Sequence, residues 1–277
     1  MRDKLVSYDD IRKSHPIFRG KFGDKLIKWG TRFAGLQYAN DIYDNSKHLT
    51  GPAFCKDALD KLEITRTIRN GEILDQFKDV PFITVSNHPY GHIDGISLIE
   101  TVGSRVNNFK VMVNFILGII DTMEENFVTV VPYKTKKPTA TSINGIKECI
   151  AHIRDGHPLG FFPAGSTSRI NFIKGRWVFT DREWQTSILK LIQKANVPVI
   201  PIHFSGRNSV YYYLLRRFFG WKIKTMQLCH ELANKKDHEI VITIGDPIPA
   251  LEIDKYQDTK DLELFLRTKT YALANTK

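Results

Sequence analysis

The chain has 277 residues, 42% hydrophobic and 25% charged, with a net charge of +10; this is a folded-protein composition, long enough for one large core or one core plus a small accessory piece. Its three cysteines, Cys55, Cys149 and Cys229, are scattered without CxxC spacing, which argues against a disulfide framework or zinc cluster and for a reducing compartment. Residues Met1–Asp10 lack the apolar run of a signal peptide, no stretch approaches the ~20 apolar residues of a spanning helix, and no RNA-binding aromatic signature or basic low-complexity tail accompanies the charge, so nucleic acid is not an expected partner.

Residues 16–62 read as helical. Phe22, Leu26, Ile27, Trp29, Phe33 and Leu36 recur at spacings near three and four among Lys21, Lys25, Lys28 and Arg32. A break at Asn45–Pro52 precedes a second helix at Ala53–Leu62. The stretch is either a preface packed on the domain or a basic amphipathic helix on a membrane surface. From Ile64 onward strands and helices alternate. Strands are expected at Ile64–Arg69, Phe82–Ser86, Phe109–Val113, Phe127–Val131, Leu159–Phe162, Val197–His203 and Glu239–Ile244. Helices are expected at Gly95–Val102, Thr139–Arg154, Arg182–Ala195, Ser209–Phe218 and Thr259–Leu273. Alternation of this kind predicts an α/β fold: a mostly parallel central sheet flanked by helices, with an N-terminal helical preface. The expected division is residues 1–62 as the helical region, possible membrane contact included, and 63–277 as the α/β domain. Ligands of such sheets collect beyond the carboxyl ends of the strands.

Three segments fall at such ends. The first is Ile83-Thr-Val-Ser-Asn87-His88-Pro89-Tyr-Gly-His92-Ile-Asp94-Gly95. A β-branched run ends at Pro89, which turns the backbone out of the strand. Asp94, in the first turn of the next helix, can reach the ring of His88. Histidine so held can take a proton from a hydroxyl, since the ordinary imidazole pKa is ~6.5. Two other readings share these residues. Asp94 can be a helix cap, or His88, His92 and Asp94 can be ligands of a metal-dependent hydrolase, although Pro89 opposes a regular helix through them.

The second segment is Leu159-Gly-Phe-Phe162-Pro163-Ala164-Gly165-Ser166-Thr167-Ser168-Arg169. Its small residues let backbone N–H groups approach an anionic or carbonyl oxygen, while the hydroxyls and the guanidinium add donors. The third is Val197-Pro-Val-Ile-Pro-Ile202 running into Gly206-Arg207-Asn208-Ser209. Its two prolines predict an edge strand, or a strand that terminates at a site.

Together these motifs resemble the glycerolipid acyltransferase family over about residues 60–250. Asn87-His88…Asp94 matches the family's first motif, Phe162-Pro163-Ala164-Gly165 the third, and Val197–Ile202 the fourth. The resemblance implies that His88 deprotonates a substrate hydroxyl and Asp94 orients it. The hydroxyl attacks an acyl thioester of acyl carrier protein or CoA, with no other cofactor and no metal. It also implies that Asn87, Phe162, Pro163, Gly165, Ser166, Thr167, Ser168, Arg169, Arg207 and Asn208 bind substrate or stabilise the oxyanion. Three departures stand out. Five residues separate His88 from Asp94 where the family usually has four. Ala164 replaces the common Glu. The second motif, expected at Asn126–Lys137, has no arginine, leaving Lys134, Lys136 or Lys137 as substitutes. These features are similar to a divergent bacterial branch that acylates lyso-aminolipids such as lyso-ornithine or lyso-glycine lipids. A lyso-lipid acceptor and an anionic membrane surface are the implied partners, and the implied location is peripheral, on the cytoplasmic face. The basic-aromatic stretch Val210–Lys224 has an interfacial composition, with Arg216, Arg217, Lys222 and Lys224, or else it is an aromatic core helix. A non-catalytic lipid-binding protein is the further alternative.

Overall fold

The computed structural model describes residues 4, 5, 7–9, 12, 20–33, 35–130, 140–173, 175–213, 230–232 and 234–275. Three helices come first: α1 (Gly20–Phe33), α2 (Leu36–Ser46) and α3 (Gly51–Lys61). The expected continuous helix is broken at Gly35, which sits at φ 67 between α1 and α2. A glycine adopts this left-handed backbone without steric cost, and the apolar spacing across it hides the break.

Strands β1 (Thr65–Arg69), β2 (Ile83–Ser86), β3 (Lys110–Asn114), β4 (Phe127–Val130) and β5 (Leu159–Phe161) follow. Helices α4 (His92–Gly103) and α5 (Ala140–Arg154) lie between them. Then come β6 (Arg169–Ile173), β7 (Arg176–Thr180), α6 (Thr186–Ala195), β8 (Val199–Phe204), β9 (Glu239–Ile244), α7 (Ala250–Ile253) and α8 (Thr259–Ala272). Among the described residues, seven strands form one sheet in the order β1-β9-β8-β2-β5-β3-β4. Every pairing in it is parallel except β8–β9. The antiparallel pair β6–β7 is a separate ribbon that the sequence reading did not anticipate.

Two apolar layers enclose the sheet. On one face Tyr43, Phe54, Leu59 and Leu98 from α2, α3 and α4 meet Ile200, Ile202, Ile240 and Ile242. On the other, Cys149, Ile153, Leu189, Ile192, Leu262 and Leu266 meet Ile83, Val85, Leu159 and Phe161. Strands β2, β5 and β8 are buried along their whole length, which is why they read as near-continuous apolar runs.

The expectation of an edge strand at Val197–Ile202 is corrected: β8 lies between β9 and β2. Pro201 is tolerated there because its ladder to β9 stops at Ile202–Ile244. The Pro201 carbonyl instead accepts from Gly245 N–H at 2.8 Å, and a separate bridge forms at Val199–Ile248. Helix starts also shift. α4 begins at His92 rather than Gly95, and α6 at Thr186 rather than Arg182. The residues before α6 are engaged elsewhere: Trp184 N–H donates to Glu263 Oε1 (2.8 Å) and Gln185 N–H to the Pro163 carbonyl (2.9 Å).

Candidate active site

The strand order brings the three motifs together. β2 has β5 on one side and β8 on the other, all parallel, so Asn87, Phe162 and Ser205–Asn208 leave adjacent strands at the same end. Asn87 extends the β2–β8 ladder with its side chain. Its Nδ2 donates to the Phe204 carbonyl (2.9 Å), and its Oδ1 accepts from the Phe204 N–H (2.7 Å). The amide thereby fixes where the chain departs toward His88.

His88 Nδ1 lies 3.0 Å from Asp94 Oδ2, with the two side chains 17% and 0% exposed. The contact is close but lacks hydrogen-bond alignment at the ring nitrogen, a common state of such pairs before substrate binds. The same Oδ2 accepts from Tyr90 N–H and Gly91 N–H, both at 2.8 Å. Asp94 is therefore a cap of α4 and a partner of His88 at once, so the two readings of this residue are not exclusive. Phe162 stacks on the imidazole at 4.2 Å between centroids and 28° between planes, restricting the ring from its other side.

The Pro163–Ser168 loop is tied to the main chain of His88. Ser168 N–H donates to the His88 carbonyl (2.8 Å), and His88 N–H donates to Asp181 Oδ1 (3.3 Å). Ser168 Oγ donates to the same Asp181 oxygen at 2.6 Å. Asp181 was not evident in the sequence, since it lies 93 positions from its partner His88. It is buried, and Arg267 and Tyr271 of α8 grip its backbone at 2.6 and 2.8 Å. Burial pushes the Asp181 carboxyl above its ordinary value, and the Ser168 hydrogen bond and the His88 charge pull it back down. Ser168→Ala removes one of these counterweights. At neutral pH it is expected to cost about 1.5–3 kcal/mol, the range for a hydrogen bond to a charged group. The sign follows from linkage. The variant raises the native Asp181 pKa further, so the cost is full above that pKa. It shrinks as pH falls through it and the carboxyl becomes neutral in both states. Urea unfolding across that range checks this; a cost that grows toward acid would contradict it.

The remaining loop residues divide. Thr167 is buried, with its hydroxyl 2.8 Å from that of Tyr212. Ser166 Oγ is buried and unpartnered. Gly165 stands at φ 61, where a Cβ would meet the Gln185 amide at 1.8 Å. Arg169 is exposed and opens β6. From the third segment, Asn208 Nδ2 donates to the Tyr90 carbonyl at 3.3 Å. Gly206 stands at φ 91, where a Cβ would fall 1.7 Å from Tyr90 Oη. Only glycine lets this loop close over the Tyr90 ring. Burial, then the charge of Asp94, pushes the Tyr90 phenol up to about 12. Beneath, Glu231 accepts from Ser209 N–H (2.8 Å) and Oγ (2.5 Å) and pairs with buried Lys235 at 3.5 Å. Arg207 is exposed and lays its guanidinium on Phe179, 4.2 Å from the ring centroid.

His88, Asp94, Phe162 and Ser168 thus meet directly, while Asn87 and Asn208 support them and Arg169 and Arg207 lie exposed. Among the described residues no group of three His, Cys, Asp or Glu side chains is placed to hold a metal, so His88, His92 and Asp94 are not assembled as a ligand trio. Lys134, Lys136 and Lys137 lie outside the described residues, as do Arg216, Arg217, Lys222 and Lys224. Of the basic-aromatic stretch, Tyr212 and Tyr213 are buried, whereas Val210 and Tyr211 are exposed.

A histidine–carboxylate pair where three adjacent parallel strands end is an arrangement suited to activating a hydroxyl. The chain belongs to the acyltransferase family, whose model matches residues 20–277. It is similar to the lyso-glycine lipid O-acyltransferase of Phocaeicola vulgatus, 26% identical over 99% of this chain and 98% of that protein. The lyso-glycine lipid O-acyltransferase of Bacteroides thetaiotaomicron is 27% identical, over 97% of each. The crystal structure of the 1-acyl-sn-glycerophosphate (LPA) acyltransferase PlsC from Thermotoga maritima shares the fold. Its TM-score is 0.51 at 15% identity, covering 98% of this chain and 93% of that one. The enzyme class expected from the motifs, an acyltransferase, therefore stands.

Proposed function

We propose that this acyltransferase moves a fatty acyl group from a thioester, carried by acyl carrier protein or CoA, to the hydroxyl of a lyso-aminolipid. The observation that carries the mechanism is the 3.0 Å approach of His88 Nδ1 to Asp94 Oδ2. With Nδ1 facing the carboxylate, Nε2 is the ring nitrogen for the acceptor hydroxyl. His88 takes the hydroxyl proton as the oxygen attacks the thioester carbonyl. The C–O bond forms, the C–S bond breaks, and the proton passes to the departing thiolate. The imidazolium of the transition state is stabilised by Asp94 and by the face of Phe162. Donors from the Phe162–Arg169 loop would stabilise the oxyanion or hold the headgroup.

The acceptor assignment rests on the two similar enzymes, both named for lyso-glycine lipids. Exposed Arg169 and Arg207 suit a headgroup carboxylate. Among the described residues no helix is long and apolar enough to cross a membrane, and peripheral work on the cytoplasmic leaflet is the arrangement we propose. The test is acyl transfer from acyl carrier protein and from CoA to a panel of lyso-glycine lipid, lyso-ornithine lipid and lysophosphatidic acid. Preferred turnover of an aminolipid is expected. Selective use of lysophosphatidic acid would overturn the acceptor assignment, and no transfer to any lyso-lipid would overturn the function.

A further inference from the structure

Between Ser168 and Asp181 the chain leaves the site, forms the β6–β7 ribbon and returns. Both ends are held at His88, through the Ser168 N–H bond to its carbonyl (2.8 Å) and the Asp181 bond to its N–H (3.3 Å). The register pairs Ile170 with Phe179 and Phe172 with Trp177. Side chains alternate along a strand, so these four share one face. The inner part of that face is covered, since Phe179 carries the Arg207 guanidinium and the Tyr213 ring, 5.2 Å away. The outer part is not. Phe172 and Trp177 are 63% and 66% exposed, with ring centroids 5.0 Å apart. Arg169 and Arg176 are exposed on the same ribbon, on its opposite face by the same alternation, in a chain of net charge +10. Two large bare rings on one face of a two-stranded ribbon and cations on the reverse are the composition of an element that enters a lipid headgroup layer.

We propose that the ribbon tip is an interfacial anchor: Phe172 and Trp177 enter the headgroup boundary of an anionic bilayer and Arg176 meets its phosphates. Because the ribbon base is bonded to His88, anchoring would hold the mouth of the site against the leaflet carrying the single-chain acceptor. This assignment rests on the lyso-lipid reading above.

The test is sedimentation of the full chain with phosphatidylcholine–phosphatidylglycerol vesicles and with phosphatidylcholine alone. Wild type is compared with Phe172→Ser/Trp177→Ser and with Phe172→Leu/Trp177→Leu, thermal melting confirming that each folds. The serine pair is expected to weaken partition into anionic vesicles by about tenfold or more, the leucine pair to keep most of it. Transfer to vesicle-embedded acceptor should fall with partition, while transfer to monomerically dispersed acceptor stays within about twofold of wild type, since binding strength follows buried apolar area. Equal partition of wild type and the serine pair would overturn the anchor. So would unchanged vesicle binding with a raised KM for acyl carrier protein, which would make the ribbon a donor-docking surface. Binding is read without acceptor. Ribbon-dependent binding by a wild type that acylates no lyso-lipid would therefore uphold the anchor and overturn only the function.

Discussion

His88→Ala is expected to lower kcat by about 10²–10⁴-fold, the usual contribution of a general base, or about 3–5 kcal/mol of barrier. Thiol release from the acyl donor and product lipid would both report it. The fold should survive, because the ring is partly exposed and its packing partner, Phe162, also contacts Phe204 at 6.1 Å. The backbone bonds of residue 88 to Ser168 and Asp181 do not involve the imidazole. A near-native melting temperature with activity lost places His88 in the chemistry. Activity within tenfold of wild type would remove it from the mechanism.

Asp94 should show two separable effects, because one oxygen serves two purposes. In Asp94→Asn the amide oxygen can occupy the Oδ2 position and keep accepting from Tyr90 and Gly91 N–H. The cap survives and the charge facing His88 is gone. The expected result is a small change in stability and a kcat lower by about 10²-fold or more, since a neutral partner neither stabilises the imidazolium nor enforces the tautomer. Asp94→Ala also leaves two buried N–H groups without an acceptor. It should cost a further 2–6 kcal/mol or so in stability, at about 1–3 for each orphaned donor. Urea unfolding and steady-state kinetics on both variants distinguish the roles. If Asp94→Asn retains full activity, Asp94 is only a cap.

Much of this architecture was legible in local sequence. The seven sheet strands appear as short runs closed by Pro, Gly or Asn; β2, β5 and β8 read as near-continuous apolar runs because they are buried along their whole length, whereas half-exposed β1 keeps Arg66 and Arg69. The local geometry of the Asn87–Gly95 segment was legible too, since Pro89 turns the chain away after β2 and Asp94 falls in the first turn of α4. The β6–β7 ribbon was missed although Lys174-Gly175 between two β-rich runs is a hairpin signal, with Gly175 at φ 77. Its first run alternates, Arg169-Ile170-Asn171-Phe172, but its second, Trp177-Val178-Phe179, does not. Asp181 left no trace, for nothing in Thr180-Asp181-Arg182 announces a carboxylate bonded to a loop and a histidine far away in sequence.

The sequence by itself determined the type of most elements and, through the resemblance of three motifs to a known family, the enzyme class. The elements follow from side-chain periodicity and from proline and glycine geometry, all local properties; the class follows from the resemblance, since Asn87–Gly95 alone left a general base, a helix cap and a metal site open. Tertiary structure alone decided that β8 sits inside the sheet rather than at its edge. It decided that β8, β2 and β5 are neighbours, so that three distant motifs leave one end together, and that Asp181 closes the ring of bonds around the His88 backbone. Strand order and buried polar pairing arise from hydrogen-bond ladders and packing between segments far apart in the chain. An apolar run states that a strand is buried, but not beside which strand.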